Sequence, residues 1–98
     1  MDIVYRTKAI QRICEDASEA TKQHGRIMAD LVHRRIDQIR AAESVEMLVE
    51  WRIGECHPLK GNRIGQYAMD LKQPYRLVFE KVDEDRVVVK VLEIVDYH

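Results

Sequence analysis

Hydrophobic residues in the first half of the chain recur at helical spacing. The clearest segment runs from Arg26 to Ala42, where the apolar residues follow one another every three or four positions as Met28, Leu31, Val32, Ile36 and Ile39. The charged residues of the segment fall on the remaining faces. This spacing predicts an amphipathic helix that buries one face.

Shorter elements surround this helix. The apolar run within Asp2–Arg6 predicts a short strand, and Thr7 is placed to cap a helix that ends near Cys14. Gly25 is positioned to end a second, polar helical segment over residues 15–24. Ser44 is positioned to cap a further short helix, whose apolar residues are Val45, Leu48 and Trp51.

The second half of the chain has a period of two instead. Apolar side chains alternate with polar or smaller ones in two segments joined at residues 72–74, namely Tyr67, Met69 and Leu71, then Tyr75, Leu77 and Phe79. An acidic turn over residues 82–86 leads into a third apolar run. Three strands with tight connections predict an antiparallel sheet. The alternation fails between Val91 and Ile94, which predicts a β-bulge.

These elements together predict an α+β fold of two layers. We expect the N-terminal strand to join an edge of the C-terminal antiparallel sheet, and the helix over residues 26–42 to pack on one face of that sheet. The helix residues expected to line the interface are Leu31, Val32, Ile36 and Ile39.

Composition limits the class of protein. A chain of 98 residues, 46% hydrophobic and 34% charged, predicts one soluble domain spanning residues 1–98. Charged residues recur between Asp2 and Glu19, so we expect no signal peptide, no membrane span and a cytoplasmic location. Cys14 and Cys56 are then expected to be reduced thiols. The net charge of −1 gives no global argument for nucleic-acid binding, although residues 54–81 are locally basic.

Three local features suggest chemistry. The loop over residues 57–65 is punctuated by glycine and carries His57, Lys60 and Arg63; a strand arginine, Arg76, follows; and the sequence closes on Asp96–His98. Taken singly, each also fits a simpler interpretation: a solvated turn, a solvent-facing arginine and a frayed end. Cys56 and His57 with His98 lack the usual spacing of metal ligands, so we expect no metal and no other cofactor.

Taken together, the three features resemble those of the HigB-like toxins in the RelE/ParE superfamily of type II toxin-antitoxin systems. The resemblance is strongest over residues 56–98 and rests on three runs, which read HPLKGNRIGQ from His57, YRLVF from Tyr75 and EIVDYH from Glu93. In the helical part of the chain, only the order of the helices and strands agrees with that of the family. The resemblance implies the RelE-like two-layer fold.

It also implies an activity. HigB-like toxins are metal-independent endoribonucleases that cut messenger RNA in the decoding site of the ribosome, by attack of a ribose 2′-hydroxyl on the adjacent phosphate. The resemblance implies a helix-turn-helix antitoxin of the HigA type as partner, the ribosome and mRNA as targets, and contact with operator DNA only through the antitoxin complex. The near-neutral charge departs from the basic character that is usual among RelE-like toxins.

The matching positions suit this reaction. The catalytic residues implied are His57, Lys60, Arg76, Asp96, Tyr97 and His98, with Lys60, Arg63 and Arg76 binding phosphate. Histidine exchanges protons near neutral pH, and arginine and lysine stabilise charge on phosphate. A tyrosine can stack on a splayed base. The sequence does not decide which histidine is the base and which is the acid.

Two other functions fit the same fold. One is a gyrase poison similar to ParE, which does not need the terminal Asp-Tyr-His cluster. The other is a catalytically inactive toxin-fold module that acts only in a repressor complex of antitoxin and operator.

Overall fold

The computed structural model describes residues 1–83 and 87–96 and shows an α+β fold. Within these residues, α-helices cover one face of a five-stranded mixed sheet. In chain order the elements are β1 (Asp2–Tyr5), α1 (Lys8–Glu15), α2 (Ala17–His24), α3 (Arg26–Ala41), α4 (Val45–Glu50), β2 (His57–Pro58), β3 (Gln66–Asp70), β4 (Tyr75–Asp83) and β5 (Val88–Asp96). The predicted fold class is confirmed.

The helix ends lie where the capping residues predicted them. The hydroxyls of Thr7 and Ser44 each accept a hydrogen bond from the backbone N–H three residues later, at 3.1 Å in both cases, and start α1 and α4. Gly25 separates α2 from α3 with a φ of 82°, a conformation that favours glycine. The main helix ends at Ala41, one residue before the predicted end.

The strand order is β1-β5-β4-β3-β2. Strands β3, β4 and β5 form the predicted antiparallel meander, and β1 lies at one edge, as expected. The partner of β1, which was not predicted, is β5, and the two strands run parallel. The two-residue strand β2 at the opposite edge was not predicted. It is short and contains Pro58, which a sheet accepts at an edge because proline has no N–H to donate to a second neighbour.

The predicted interruption in β5 is a bulge at Leu92. Val78 lies opposite Glu93, but the next residue, Phe79, lies opposite Val91, so Leu92 has no partner on β4. Leu92 is 8% exposed and packs with Ala68 and Val78 on the face of the sheet away from the helices. The bulge therefore places an extra apolar side chain on that face.

The main core lies between α3 and the sheet. Val32, Ile36 and Ile39 on α3, together with Leu77 and Phe79 on β4, are 0% or 1% exposed. Leu31 was expected in this interface with them, but it is only partly buried at the margin of the core. Two further residues predicted on buried faces lie at the surface, where Tyr75 is 38% and Trp51 is 71% exposed. Trp51 follows the last residue of α4 and Tyr75 is the first residue of β4, so each stands where the opposite layer of the fold no longer covers it.

Shortening Ile36 to valine should lower the free energy of unfolding by about 0.5–1.5 kcal/mol, because the deleted methylene leaves a space in a close-packed interior. Ile27 lies on the same helix and is 65% exposed, so Ile27→Val is the matched control and should change stability by less than about 0.5 kcal/mol. Urea denaturation of both variants measures the difference. Equal effects would contradict the assignment of the buried face.

The second face of the sheet is partly covered by the chain itself. Leu59 packs on the small cluster formed by Ala68, Val78 and Leu92. Arg63 fixes the same loop, because its Nη2 atom lies 2.6 Å from Oε1 of Glu93 on β5. The loop over residues 57–65 is therefore attached to the sheet at two points.

Among the described residues, none of the helices has the length and apolar character needed to cross a membrane.

Candidate active site

An open cleft of about 530 Å³ lies where the end of α4, the turn before β2 and the hairpin of β3 and β4 come together. Eight residues line it: Val49, Glu50, Arg52, Glu55, Cys56, His57, Asp70 and Arg76. His57 and Arg76, two of the residues expected from the sequence to be functional, are therefore brought together by the fold.

Three polar residues of the cleft stand on the same face of the sheet. His57 lies opposite Ala68 in the register of β2 and β3, and Asp70 lies opposite Arg76 in that of β3 and β4. Directly opposite residues share a face, and so do alternate residues along one strand. The side chains of His57, Asp70 and Arg76 thus all project from the face that the helices leave uncovered.

The turn before β2 has an unusual backbone. Arg52, Gly54 and Glu55 have φ values of 51°, 58° and 57°, in the left-handed region that side-chain-bearing residues rarely adopt. An ion pair of 2.6 Å between Arg52 and Glu55 spans the turn. Such conformations often occur at functional sites, and here the turn delivers His57 to the cleft.

The imidazole of His57 is oriented by the same turn. Its Nδ1 atom lies 2.8 Å from the backbone oxygen of Glu55. A carbonyl oxygen only accepts hydrogen bonds, so Nδ1 carries a hydrogen and donates it. In the neutral ring Nε2 is then the unprotonated nitrogen, which leaves this atom for proton exchange with a ligand.

Arg76 is held on two sides of its guanidinium group. Its Nε atom lies 3.0 Å from Oδ1 of Asp70, and Nη1 donates to Oε1 of Gln73 at 3.2 Å and to the backbone oxygen of Tyr75 at 3.4 Å. Nη2 bonds to none of the described residues. These contacts fix the plane of the group and leave one nitrogen for a bound anion.

Behind the cleft, Arg35 of α3 reaches the end of β3. Its Nε atom donates to the backbone oxygen of Asp70 at 2.6 Å, and its Nη1 atom donates to Oε1 of Gln38 at 3.0 Å. Burial lowers the pKa of Arg35 from its usual value, and the charge of Arg34 lowers it further, while Asp70 acts in the opposite direction. The helical pattern placed Arg35 only on a charged face of α3.

Carboxylates outnumber cations among the lining residues. Glu50, Glu55 and Asp70 face two arginines, Arg52 and Arg76, and both arginines are in ion pairs. The Glu50 carboxylate is exposed, and no partner for it occurs within residues 1–83 and 87–96. Sequence reasoning missed all three carboxylates, since no local pattern distinguishes them from other surface acids.

The remaining predicted site residues lie elsewhere. Lys60 is exposed in the loop after β2 and does not line the cleft. Arg63 is engaged with Glu93 and, at 3.0 Å, with Gln66. Asp96 lies opposite Tyr75 at the end of β5, which puts it on the other face of the sheet from Arg76.

Tyr97 and His98, the other two residues of the predicted terminal triplet, lie outside the described residues. Across the described part of the chain, no group of three or more histidine, cysteine or acidic residues is placed to hold a metal ion.

Cys14 and Cys56 are free and buried, and burial raises the pKa of each thiol to about 12. At pH 8 the thiolate fraction is then lower, by a factor on the order of 10³, than that of an unperturbed thiol, whose pKa is about 8.5.

Iodoacetamide should therefore alkylate the native protein at least about 10²-fold more slowly than protein unfolded in guanidinium chloride, and the rate should increase as the pH rises. Mass spectrometry of quenched samples measures both rates. Rapid labelling of Cys56 in the native state would contradict its burial beneath the cleft.

Comparison with known proteins gives structural matches only. No protein-family model and no curated protein matches the sequence. Among solved structures, a YoeB/ParE toxin from Agrobacterium tumefaciens superposes with a TM-score of 0.68 at 15% identity, over 100% of both chains. The YoeB–YefM complex from Staphylococcus aureus superposes with a TM-score of 0.66 at 20% identity, and the YoeB dimer from the same organism superposes with a TM-score of 0.65 at 21% identity. Each match covers 100% of this chain and 97% of the other.

These matches extend over the whole chain, so they include the elements that build the cleft as well as the helical layer. At identities of 15–21% they establish the architecture. The chain has the YoeB/RelE-like toxin fold.

Proposed function

We propose that this protein is the toxin of a type II toxin-antitoxin system, similar to HigB, and that it is a ribosome-dependent endoribonuclease that cleaves mRNA in the decoding site. The observation that carries the proposal is the meeting of His57 and Arg76 in one open cleft. These residues come from two separate runs that resemble those of HigB-like toxins. They are far apart along the chain, so it is the fold that brings them together.

The cleft contains two of the groups that RNA cleavage requires, a proton-exchanging histidine and a phosphate-binding arginine. The ribose 2′-oxygen attacks phosphorus, the bond from phosphorus to the 5′-oxygen breaks, and a 2′,3′-cyclic phosphate and a 5′-hydroxyl result. A base takes the 2′-hydroxyl proton, and an acid protonates the leaving oxygen. His57 exchanges one of these protons through Nε2, and Nη2 of Arg76 stabilises the charge on the phosphate.

Other residues complete the proposed site. His98 supplies the second proton transfer, and Tyr97 stacks on a base. Asp96 lies on the other face of the sheet from Arg76 and His57, so the histidine it fixes in this proposal is His98. Lys60 contacts RNA phosphate from its exposed position in the loop. Arg63 acts on phosphate only when it exchanges its Glu93 partner for the RNA, so its first role is to hold the loop on the sheet.

The proposed partner is a HigA-like helix-turn-helix antitoxin that inhibits the toxin and carries it to operator DNA. Two of the structural neighbours, both from S. aureus, are YoeB–YefM toxin-antitoxin complexes, which supports an antitoxin partner. Action on translating ribosomes places the protein in the cytoplasm.

The test uses purified protein and a defined mRNA, with and without programmed ribosomes. We expect cleavage only with ribosomes, because a net charge of −1 and a cleft whose cations are paired favour weak binding to free RNA. A parallel reaction with DNA gyrase tests the alternative that the ParE designation of one neighbour supports. Cleaved DNA complexes without mRNA cleavage would favour a gyrase poison, and no activity in either reaction would favour the inactive module.

A further inference from the structure

The side chain of Arg35 on α3 contacts both walls of the cleft. One wall is the turn that carries His57. The other is the hairpin that carries Asp70 and Arg76. Arg35 itself does not line the cleft, so it approaches both walls from the helical layer behind them.

Contact with the hairpin wall is a hydrogen bond. Nε of Arg35 donates to the backbone oxygen of Asp70 at 2.6 Å. The carboxylate of the same residue binds Nε of Arg76 at 3.0 Å. A displacement of the Asp70 backbone therefore changes where the guanidinium of Arg76 lies.

Contact with the turn wall is a close approach to Gly54. A Cβ atom at this position would lie 2.6 Å from Nε of Arg35 and 2.9 Å from its Cδ and Cζ atoms, so the guanidinium packs directly against the glycine backbone. Gly54 also has a φ of 58°. The next residue in the turn, Glu55, accepts the hydrogen bond that orients His57.

We propose that Arg35 is a positioning residue for RNA cleavage, which sets the separation of His57 from Arg76 by holding Gly54 and the Asp70 backbone in one arrangement. The proposal rests on the proposed function. A misplacement of reacting groups by about 1 Å lowers a rate by on the order of 10²-fold, so a residue that touches no substrate still has a large effect here.

The first experiment compares Arg35→Met with Arg34→Met. Both remove one charge and keep an unbranched side chain on the same helix, but Arg34 is exposed and does not line the cleft. In single-turnover cleavage on programmed ribosomes, Arg35→Met should lower the maximal rate by roughly 10- to 10²-fold while the half-saturating protein concentration stays within about twofold of wild type. Arg34→Met should cleave at the wild-type rate.

A second measurement does not depend on activity. In protein labelled with ¹⁵N at arginine Nε, the Arg76 Nε–H signal reports its hydrogen bond to Asp70. We expect that signal to shift and to exchange faster with water in Arg35→Met, and to remain at its wild-type position in Arg34→Met. If wild-type protein cleaves no RNA, the proposed function fails, and the spectra still decide whether Arg35 positions Arg76.

Gly54→Ala gives an independent route to the same change. The added Cβ displaces the Arg35 guanidinium, so Gly54→Ala should reproduce the rate loss and the spectral shift. In an Arg35→Ala background the space is already empty, and Gly54→Ala should then add only the smaller effect of backbone strain. Arg35→Lys keeps a single donor for the Asp70 oxygen and should recover part of the rate.

Three outcomes would overturn the proposal. The first is a wild-type Arg76 signal in folded Arg35→Met, with or without a fall in rate. The second is a rate loss in Arg35→Met that tracks only a lower melting temperature. The third is fully additive effects of Gly54→Ala and Arg35→Ala.

Discussion

Arg76→Ala is expected to lower the rate of mRNA cleavage on programmed ribosomes by roughly 10² to 10³-fold, the usual result of removing a donor that stabilises charge in a transition state. In the folded protein Asp70 and Gln73 already fix the guanidinium plane, and Nη2 is left for the phosphate. Single-turnover rates at saturating protein, from about pH 5.5 to 8.5, measure the loss. The factor should be constant across this range, because arginine stays protonated throughout.

Two control variants separate this role from a structural one. Arg12→Ala removes the same side chain from an exposed position on α1 and should leave the rate unchanged. Arg76→Lys keeps the charge but loses the planar fork, so it should recover only part of the rate. A wild-type rate in folded Arg76→Ala would remove this arginine from the site, and an equal fall in Arg12→Ala would point to a general loss of charge.

Local patterns in the sequence predicted most of the fold. The period of two along β3 and β4 gave the strands and also put Arg76 on the face away from the helices, where it lies. The break in alternation located the bulge at Leu92. These features depend on neighbours along the chain, which is why they can be read without tertiary information.

Errors occurred at the ends of elements and at an edge. Trp51 continues the helical spacing of α4 but falls at the residue that ends the helix, beyond the layer that would cover it. Strand β2 has two residues, too few to show a period. The second apolar cluster, formed by Ala68, Val78 and Leu92 with Leu59 of the loop packed against it, was not predicted.

The candidate site was predictable only in part. The family resemblance selected His57 and Arg76, and the cleft contains both. It did not select Arg35, Gly54 or Asp70, whose importance arises from contacts between segments that are distant in sequence. In the sequence, the partly buried Arg35 on a charged helix face looks the same as its exposed neighbour Arg34.

The second large effect is expected at His57, where His57→Ala should lower the cleavage rate by about 10² to 10⁴-fold. The hydrogen bond from Nδ1 to the Glu55 oxygen fixes the ring, so Nε2 meets the substrate in a set orientation. Loss of a proton-transfer group should also remove one limb of the pH-rate profile between about pH 5.5 and 8.5. The loss at Arg76 leaves the shape of that profile intact, and the two variants are thereby distinguished.

His24→Ala is the matched control, because His24 ends α2 outside the cleft and its removal should change neither the rate nor the profile. His98→Ala, at the predicted second histidine, should give a loss of similar size but remove the opposite limb, since one group acts as base and the other as acid. Which limb disappears in His57→Ala assigns its role. A His57→Ala protein with the wild-type profile would show that proton transfer occurs elsewhere, with His98 and the exposed carboxylate of Glu50 as the next residues to test.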